Sequence, residues 1–285
     1  MPQLVFPYVP ALLKDILRLC IWLAVPCALF LPLERVFALH RQKVFRKEVA
    51  VDIGYYFVNG LLISVALSAP LGLVVRGAHH FVPSGFYAML AELPVSLRAV
   101  LALVVGEVGY YWGHRLSHEI PFLWRFHAVH HSARQIDFLV SSRGHPVDLV
   151  VSRLFTLAPI YVLGIANPLS ASGNILVILV LVVSSNWSYL IHANVRWRLG
   201  KLEWLMTSPA FHHWHHTRTG MVDHNYATML PWVDRIFGTH HLPQEWPEAY
   251  GITDRMPETL PEQLVYPLFS QPPVPTAAQA GAAKR

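Results

Sequence analysis

Residues 114–131 read HRLSHEIPFLWRFHAVHH and hold five histidines in two groups. His114 and His118 are spaced i, i+4, and His127, His130 and His131 are spaced i, i+3, i+4. On a helix both spacings put the imidazoles on one face, with Cβ atoms about 5–6 Å apart. The second spacing returns as His212, His215 and His216 in FHHWHH, and His192 closes the apolar run before it. One histidine pair at helical spacing arises often by chance, but three such groups in one chain do not. Nine neutral imidazoles suffice for two first-row metal ions. They do not name the metal, because iron, zinc, copper and nickel all accept imidazole. A carboxylate-bridged bundle site would repeat Glu-x-x-His, and this chain does not.

The setting of these histidines is apolar. Of 285 residues, 54% are hydrophobic and only 14% charged, against about 25% charged in soluble domains. Runs long enough for a bilayer occupy about 16–38, 49–75 and 95–112. Two further ones, 147–166 and 175–191, are joined by NPLSASGN, whose residues favour a turn. The expected fold is therefore all-α, a multi-pass membrane helical bundle with a cytoplasmic, histidine-rich helical cap. Residues 1–94 would anchor it, 95–250 would form the catalytic unit, and 251–285 would be an extension, disordered in its Pro- and Ala-rich end. Residues 1–15 should lie at the interface, and residues 77–94, nearly uncharged, read as a short outside loop.

The densest basic loop, HRQKVFRKE, carries Arg41, Lys43, Arg46 and Lys47, and the bias of such loops to the inside places it in the cytoplasm. Counting spans from it puts His114, His192 and FHHWHH on that same side, whether 147–191 crosses twice or forms a re-entrant hairpin. The net charge of +5 is distributed beside apolar runs, which fits lipid headgroups and not nucleic acid. Cys20 and Cys27 both fall in the first apolar run and form no redox or metal motif.

Around the ligand candidates, Glu107 stands inside the third apolar run, seven residues before His114. An ionisable residue there is functional by default, and it is expected to orient a ligand histidine by accepting its other N–H. Asp223 and Asp234 are candidates for the same role. His213 points about 100° away from His212 on a helix and is expected behind the ligand set or on the surface. His145 and His224 are open between ligand and supporting partner. His240 and His241 read as surface residues.

The string GEVGYYWGHRLSHEIPFLWRFHAVHHS, followed by LIHANV, SPAFHHWHHT and DHNYATMLPWVDRIFGT, closely resembles the fatty acid hydroxylase superfamily, which includes sterol desaturases. The resemblance covers roughly residues 95–240. It implies a non-haem centre of two iron ions that activates O2 to oxidise a lipid C–H bond, with His114, His118, His127, His130, His131, His192, His212, His215 and His216 as ligands. It also implies that Asn225, Tyr226, Trp232 and Asp234 belong to a signature around the site. His213 stands where many members have Arg or Lys. Two of the four electrons that reduce O2 must come from outside. No Gly-rich nucleotide fingerprint or cysteine cluster is present, so a separate electron-donor protein is expected beside a membrane lipid substrate. An acyl-CoA-type desaturase is the nearest other enzyme class. A zinc protease is disfavoured because His118 and Glu119 do not continue into HExxH. A haem protein or metal transporter would need ligands at mid-membrane depth.

Overall fold

A computed structural model describes residues 8–166, 171–220 and 222–269. Among them the architecture is helical, with two isolated β-bridges, Ala38 to Val195 and Thr217 to Tyr250. Four long helices form the bundle: α1 Tyr8–Val36, α2 Val49–Phe81, α4 Val95–Glu119 and α7 Ala171–His192. Each contains a stretch long and apolar enough to cross a membrane. Their apolar side chains face outward as well as inward, with Ile21 68% and Val65 72% exposed. Such exposure is costly in water and satisfied by lipid.

One segment departs from the sequence expectation, residues 77–94, and two others refine it. Pro26 and Pro32 lie inside α1 without ending it, and α1 begins at Tyr8, before the apolar run itself. Residues 77–94 are not an open loop. α2 continues to Phe81, and α3, Ser84–Ala91, follows after Pro83; a near absence of charge does not stop a helix whose flanks pack. The run 147–166 forms α6, Pro146–Val162, of 17 residues. At 1.5 Å per residue it rises about 25 Å, short of the roughly 30 Å hydrocarbon layer.

Packing explains the order of the bundle. Leu67 of α2, Ala102 of α4, Leu157 and Ile160 of α6 and Leu176 and Val180 of α7 share one buried cluster. α6 approaches α4 at glycines: a Cβ at Gly109 would stand 2.0 Å from the Phe155 carbonyl oxygen, and one at Gly113 would stand 2.7 Å from the Phe155 Cβ. Small residues permit such backbone approach between membrane helices. Past α4, helix α5 (Pro121–His131) and a 3-10 turn at Phe138–Ser142 lie over the bundle end. Short helices α8 (Pro209–His215) and α9 (Trp232–Phe237) complete the cap. α10, Leu260–Phe269, packs Leu260 and Leu264 against Tyr55 and Val129. Of the expected turn NPLSASGN, residues 171–174 belong to α7, while residues 167–170 and the Pro- and Ala-rich residues 270–285 lie outside the described residues.

The basic loop and the histidine segments meet at one end of the bundle. Arg46 bonds both oxygens of Asp137 at 2.6 and 2.8 Å, and Gln42 donates to the Ile136 carbonyl.

Candidate metal centre

The last turns of α4 supply His114 and His118, α5 supplies His127, His130 and His131, α7 ends in His192, and α8 supplies His212 and His215, with His216 at its C-cap. These nine sort into two groups able to hold metal: His114, His118, His127, His131 and His215 in one, and His130, His192, His212 and His216 in the other. Within each group the ligand-type atoms lie within 4.8 Å of one another. The groups touch, with the His131 and His216 rings stacked at 4.4 Å between centroids. The adjacent histidines of HxxHH therefore divide between groups: His130 goes to one and His131 to the other.

The outer nitrogens of six of the nine rings are fixed by acceptors. Nδ1–H of His114 donates to the Tyr226 carbonyl at 2.6 Å, that of His118 to Asp223 Oδ1 at 3.0 Å, and that of His215 to the His224 carbonyl at 2.7 Å. Three acceptors for one group thus come from the four residues 223–226. Asp223 and Asn225 achieve this with left-handed φ of 64° and 62°, a conformation Asp and Asn tolerate best among non-glycine residues. His127 donates to Asp148 Oδ2 at 3.0 Å, His130 to the Arg143 carbonyl at 2.7 Å and His192 to the Ser188 carbonyl at 2.7 Å.

With Nδ1 carrying the proton, each Nε2 presents a lone pair. Yet His114 Nε2 lies 3.1 Å from His127 Nε2, and His130 Nε2 lies 3.3 Å from His192 Nε2. A second ring proton would relieve the repulsion only by burying an imidazolium among imidazoles. Burial, reinforced by His127, lowers the His130 pKa to about 4. Burial and neighbouring imidazoles hold His131, His212, His215 and His216 well below the ordinary histidine value. These five rings are thus neutral, and Nε2 of His118 and of His215 is buried without a hydrogen-bond partner. A cation between facing lone pairs removes the conflict, so the residues present fit metal ions.

The other sequence candidates fall around this cluster. Glu107 is buried on α4, but its Oε1 accepts the backbone N–H of Met229 at 2.6 Å and of Leu230 at 3.1 Å. The expectation that it orients a ligand ring is therefore corrected: two turns deeper than His114, it is level with the loop that follows Tyr226. Asp234 accepts the backbone N–H of Tyr226 and Ala227 and the Thr239 hydroxyl, and Asn225 donates to the carbonyls of Phe211 and His241. These contacts brace the 223–228 loop. The Tyr226 ring packs on His114, His118 and His215. His213 is fully buried, donating from Nε2 to the Ala193 carbonyl and accepting from the Tyr250 hydroxyl; it is not a surface residue. His145 caps α6 and donates to the Leu264 carbonyl, and the His224 ring turns to the Val222 carbonyl, so neither joins a group. His240 and His241 are half-buried.

Two supporting residues were not anticipated. Asp148 partners His127, and Arg143, whose carbonyl holds His130, is itself tied to Asp52 of α2 through its guanidinium. Both Asp52 and Asp148 interrupt apolar runs, the same signal that singled out Glu107.

A cavity of about 370 Å³ opens beneath the cluster between α2, α4, α6 and α7. His127, His130 and His192 form its upper wall, and Asn59, Tyr110, Ser152, Arg153 and Ser185 lie deeper.

An all-helical bundle with membrane-length helices and a buried histidine cluster able to hold metal defines a membrane protein with a candidate metal centre. Residues 99–239 match the family model described as Fatty acid hydroxylase, and the chain belongs to the fatty acid hydroxylase and sterol desaturase superfamily. It is 32% identical to an ornithine lipid hydroxylase of Rhizobium tropici over 62% of this chain and 52% of that one. It is also 32% identical to alkylglycerol monooxygenase of Homo sapiens over 52% of this chain and 31% of the other. A Delta(7)-sterol 5(6)-desaturase of Gibberella zeae is 28% identical over 52% of this chain and 43% of its own. The chain thus spans about half the length of the first of these and about a third of the second. No solved structure matches it.

Proposed function

We propose that this chain is a membrane lipid oxygenase that hydroxylates its substrate with O2 and two externally supplied electrons, the two histidine groups each holding one iron ion. The observation that carries this reading is the pair of adjacent groups with inward lone pairs, placed directly over a cavity enclosed by apolar helices. When bound, the metal pair supplies the O2 activation that an unactivated C–H bond requires. The balance is one C–H bond and O2, with two electrons and two protons, giving an alcohol and water. The relatives are named for hydroxylation, monooxygenation and desaturation of lipids, so loss of a second hydrogen to give an alkene is the alternative outcome at the same site.

In this reading the residues of the chain do three things. The acceptors at Tyr226, Asp223, His224, Asp148, Arg143 and Ser188 hold six of the nine rings in the tautomer and orientation that present Nε2 inward. The bundle excludes water from the cavity and admits an apolar chain between helices. The cap, sharing an end of the bundle with the basic loop 41–47, faces the cytoplasm, or the inner face of the inner membrane in a bacterium, where an electron-donor protein reaches it.

The test is lipid analysis of cells with and without the gene, grown under 18O2. A lipid gaining one labelled oxygen only when the gene is present is the expected result. An absorption spectrum with a Soret band, or activity retained without metal, would refute the reading.

A further inference from the structure

The cavity below the histidines holds a cation that the proposed chemistry does not use. Arg153 lies on α6 and lines the cavity. Its guanidinium contacts the Ser185 hydroxyl at 3.5 Å, and the titratable groups acting on it are the phenols of Tyr110 and Tyr189. Among the described residues no carboxylate forms an ion pair with it. The two carboxylates on the same cavity are committed elsewhere, Glu107 to the backbone of Met229 and Leu230 and Asp148 to His127. The contrast with the three buried arginines is direct. Arg46 and Arg143 are paired with Asp52 and Asp137 or Asp52, and Arg98 is spent on the Ile165 carbonyl. An arginine inside a membrane bundle is expensive unless something neutralises it, and its planar fork matches carboxylate and phosphate. Hydroxyls surround the position, since Ser152, Ser184 and Ser185 line the same space.

We propose that Arg153 receives the anionic group, carboxylate or phosphate, of an amphipathic lipid whose reacting carbon lies against His127, His130 and His192. This rests on the oxygenase reading and narrows its substrate class. Ser185 precedes His192 by seven residues on α7, a rise of about 10 Å at 1.5 Å per residue. The charge is therefore anchored about one and a half to two turns from the histidine wall, and the carbon oxidised is fixed by its distance from the anion. A sterol or an uncharged ether lipid has no group for this arginine.

The experiment measures binding to the full-length protein in uncharged maltoside micelles, metal-free and metal-loaded, by the concentration dependence of the thermal midpoint. The probes are hexadecanoate, hexadecyl phosphate and the uncharged hexadecanol. Wild type is expected to bind one or both anions about tenfold or more tighter than the alcohol, the fold-change a charged hydrogen bond carries, and the preferred anion tells carboxylate from phosphate. Arg153→Gln should bind all three alike, Arg153→Lys should keep most of the preference, and Ser185→Ala should weaken it several-fold without touching hexadecanol. Wild type that does not distinguish the anions from the alcohol overturns the proposal even if Arg153→Gln fails to fold, and so does undiminished anion preference in a folded Arg153→Gln. The two readings fail separately. Label from 18O2 without anion preference sinks this one alone, and anion preference without label sinks the oxygenase reading and leaves an anion site at Arg153 with no reacting carbon.

Discussion

His114 and His127 face each other through Nε2 at 3.1 Å while each ring spends its N–H elsewhere, on the Tyr226 carbonyl and the Asp148 carboxylate. Two lone pairs at that distance repel unless a cation lies between them. Metal analysis of gently purified protein is therefore expected to find two first-row metal ions per chain, one per histidine group. Chelation should lower the thermal midpoint, since a ligand present at a hundredfold over its Kd stabilises by about 2.7 kcal/mol per site. His215→Ala and His130→Ala strike different groups, and each should reduce metal content while the protein still inserts in the membrane. Full occupancy in both variants would remove the assignment.

Much of this site was legible in the sequence because helical spacing is local. The intervals at 114–118, 127–131 and 212–216 fix which rings share a helix face. The division of adjacent His130 and His131 between two groups was not legible, because it depends on how α7 and α8 fold back over α5. Asp148 was missed although it interrupts an apolar run just as Glu107 does, and Glu107 itself was misassigned because a helix face does not tell which loop lies at its level. Helix α3 is not legible in the sequence, since low charge and Gly-Pro content carry no periodicity of their own. The bundle, by contrast, follows from the length and hydropathy of α1, α2, α4 and α7.

Asp148→Asn should separate orientation from charge. The amide keeps the shape and can still accept from His127 Nδ1, but it withdraws the negative charge that strengthens the ring as a ligand. Loss of such outer partners typically lowers metal affinity 10–100-fold. Competition with a metal-binding dye gives the number, and an unchanged affinity would reduce Asp148 to a packing residue. Asp223→Asn tests the same relationship at His118, where the carboxylate is partly accessible, so a smaller effect is expected.

His213→Gln is expected to leave two metals bound. Its nitrogens are occupied by Tyr250 and Ala193, not by the cluster, and burial lowers its pKa to about 3, so it is a neutral strut. Leaving a buried donor or acceptor unpaired costs about 1–3 kcal/mol, which a thermal melt should register. Loss of a metal ion in this variant at full folding would place His213 among the ligands.

Gly109→Ala should damage the site from a distance. The new Cβ would stand 2.0 Å from the Phe155 carbonyl oxygen, a backbone atom that no rotamer change can move, so α4 and α6 must separate. α4 carries His114 and His118, while α6 carries Asp148, which holds His127. Parting these helices pulls His127 away from His114 and opens the facing Nε2 pair. Overpacking of this kind typically costs 1–3 kcal/mol or more, and both the thermal midpoint and the metal content are expected to fall. Gly77→Ala is the control, because a Cβ there meets nothing within 4 Å and alanine is favoured over glycine in a helix by about 0.8–1.0 kcal/mol. It should melt no lower than wild type and hold its metals. If the two variants behaved alike, close approach of α4 and α6 would not be what sets the histidines in register.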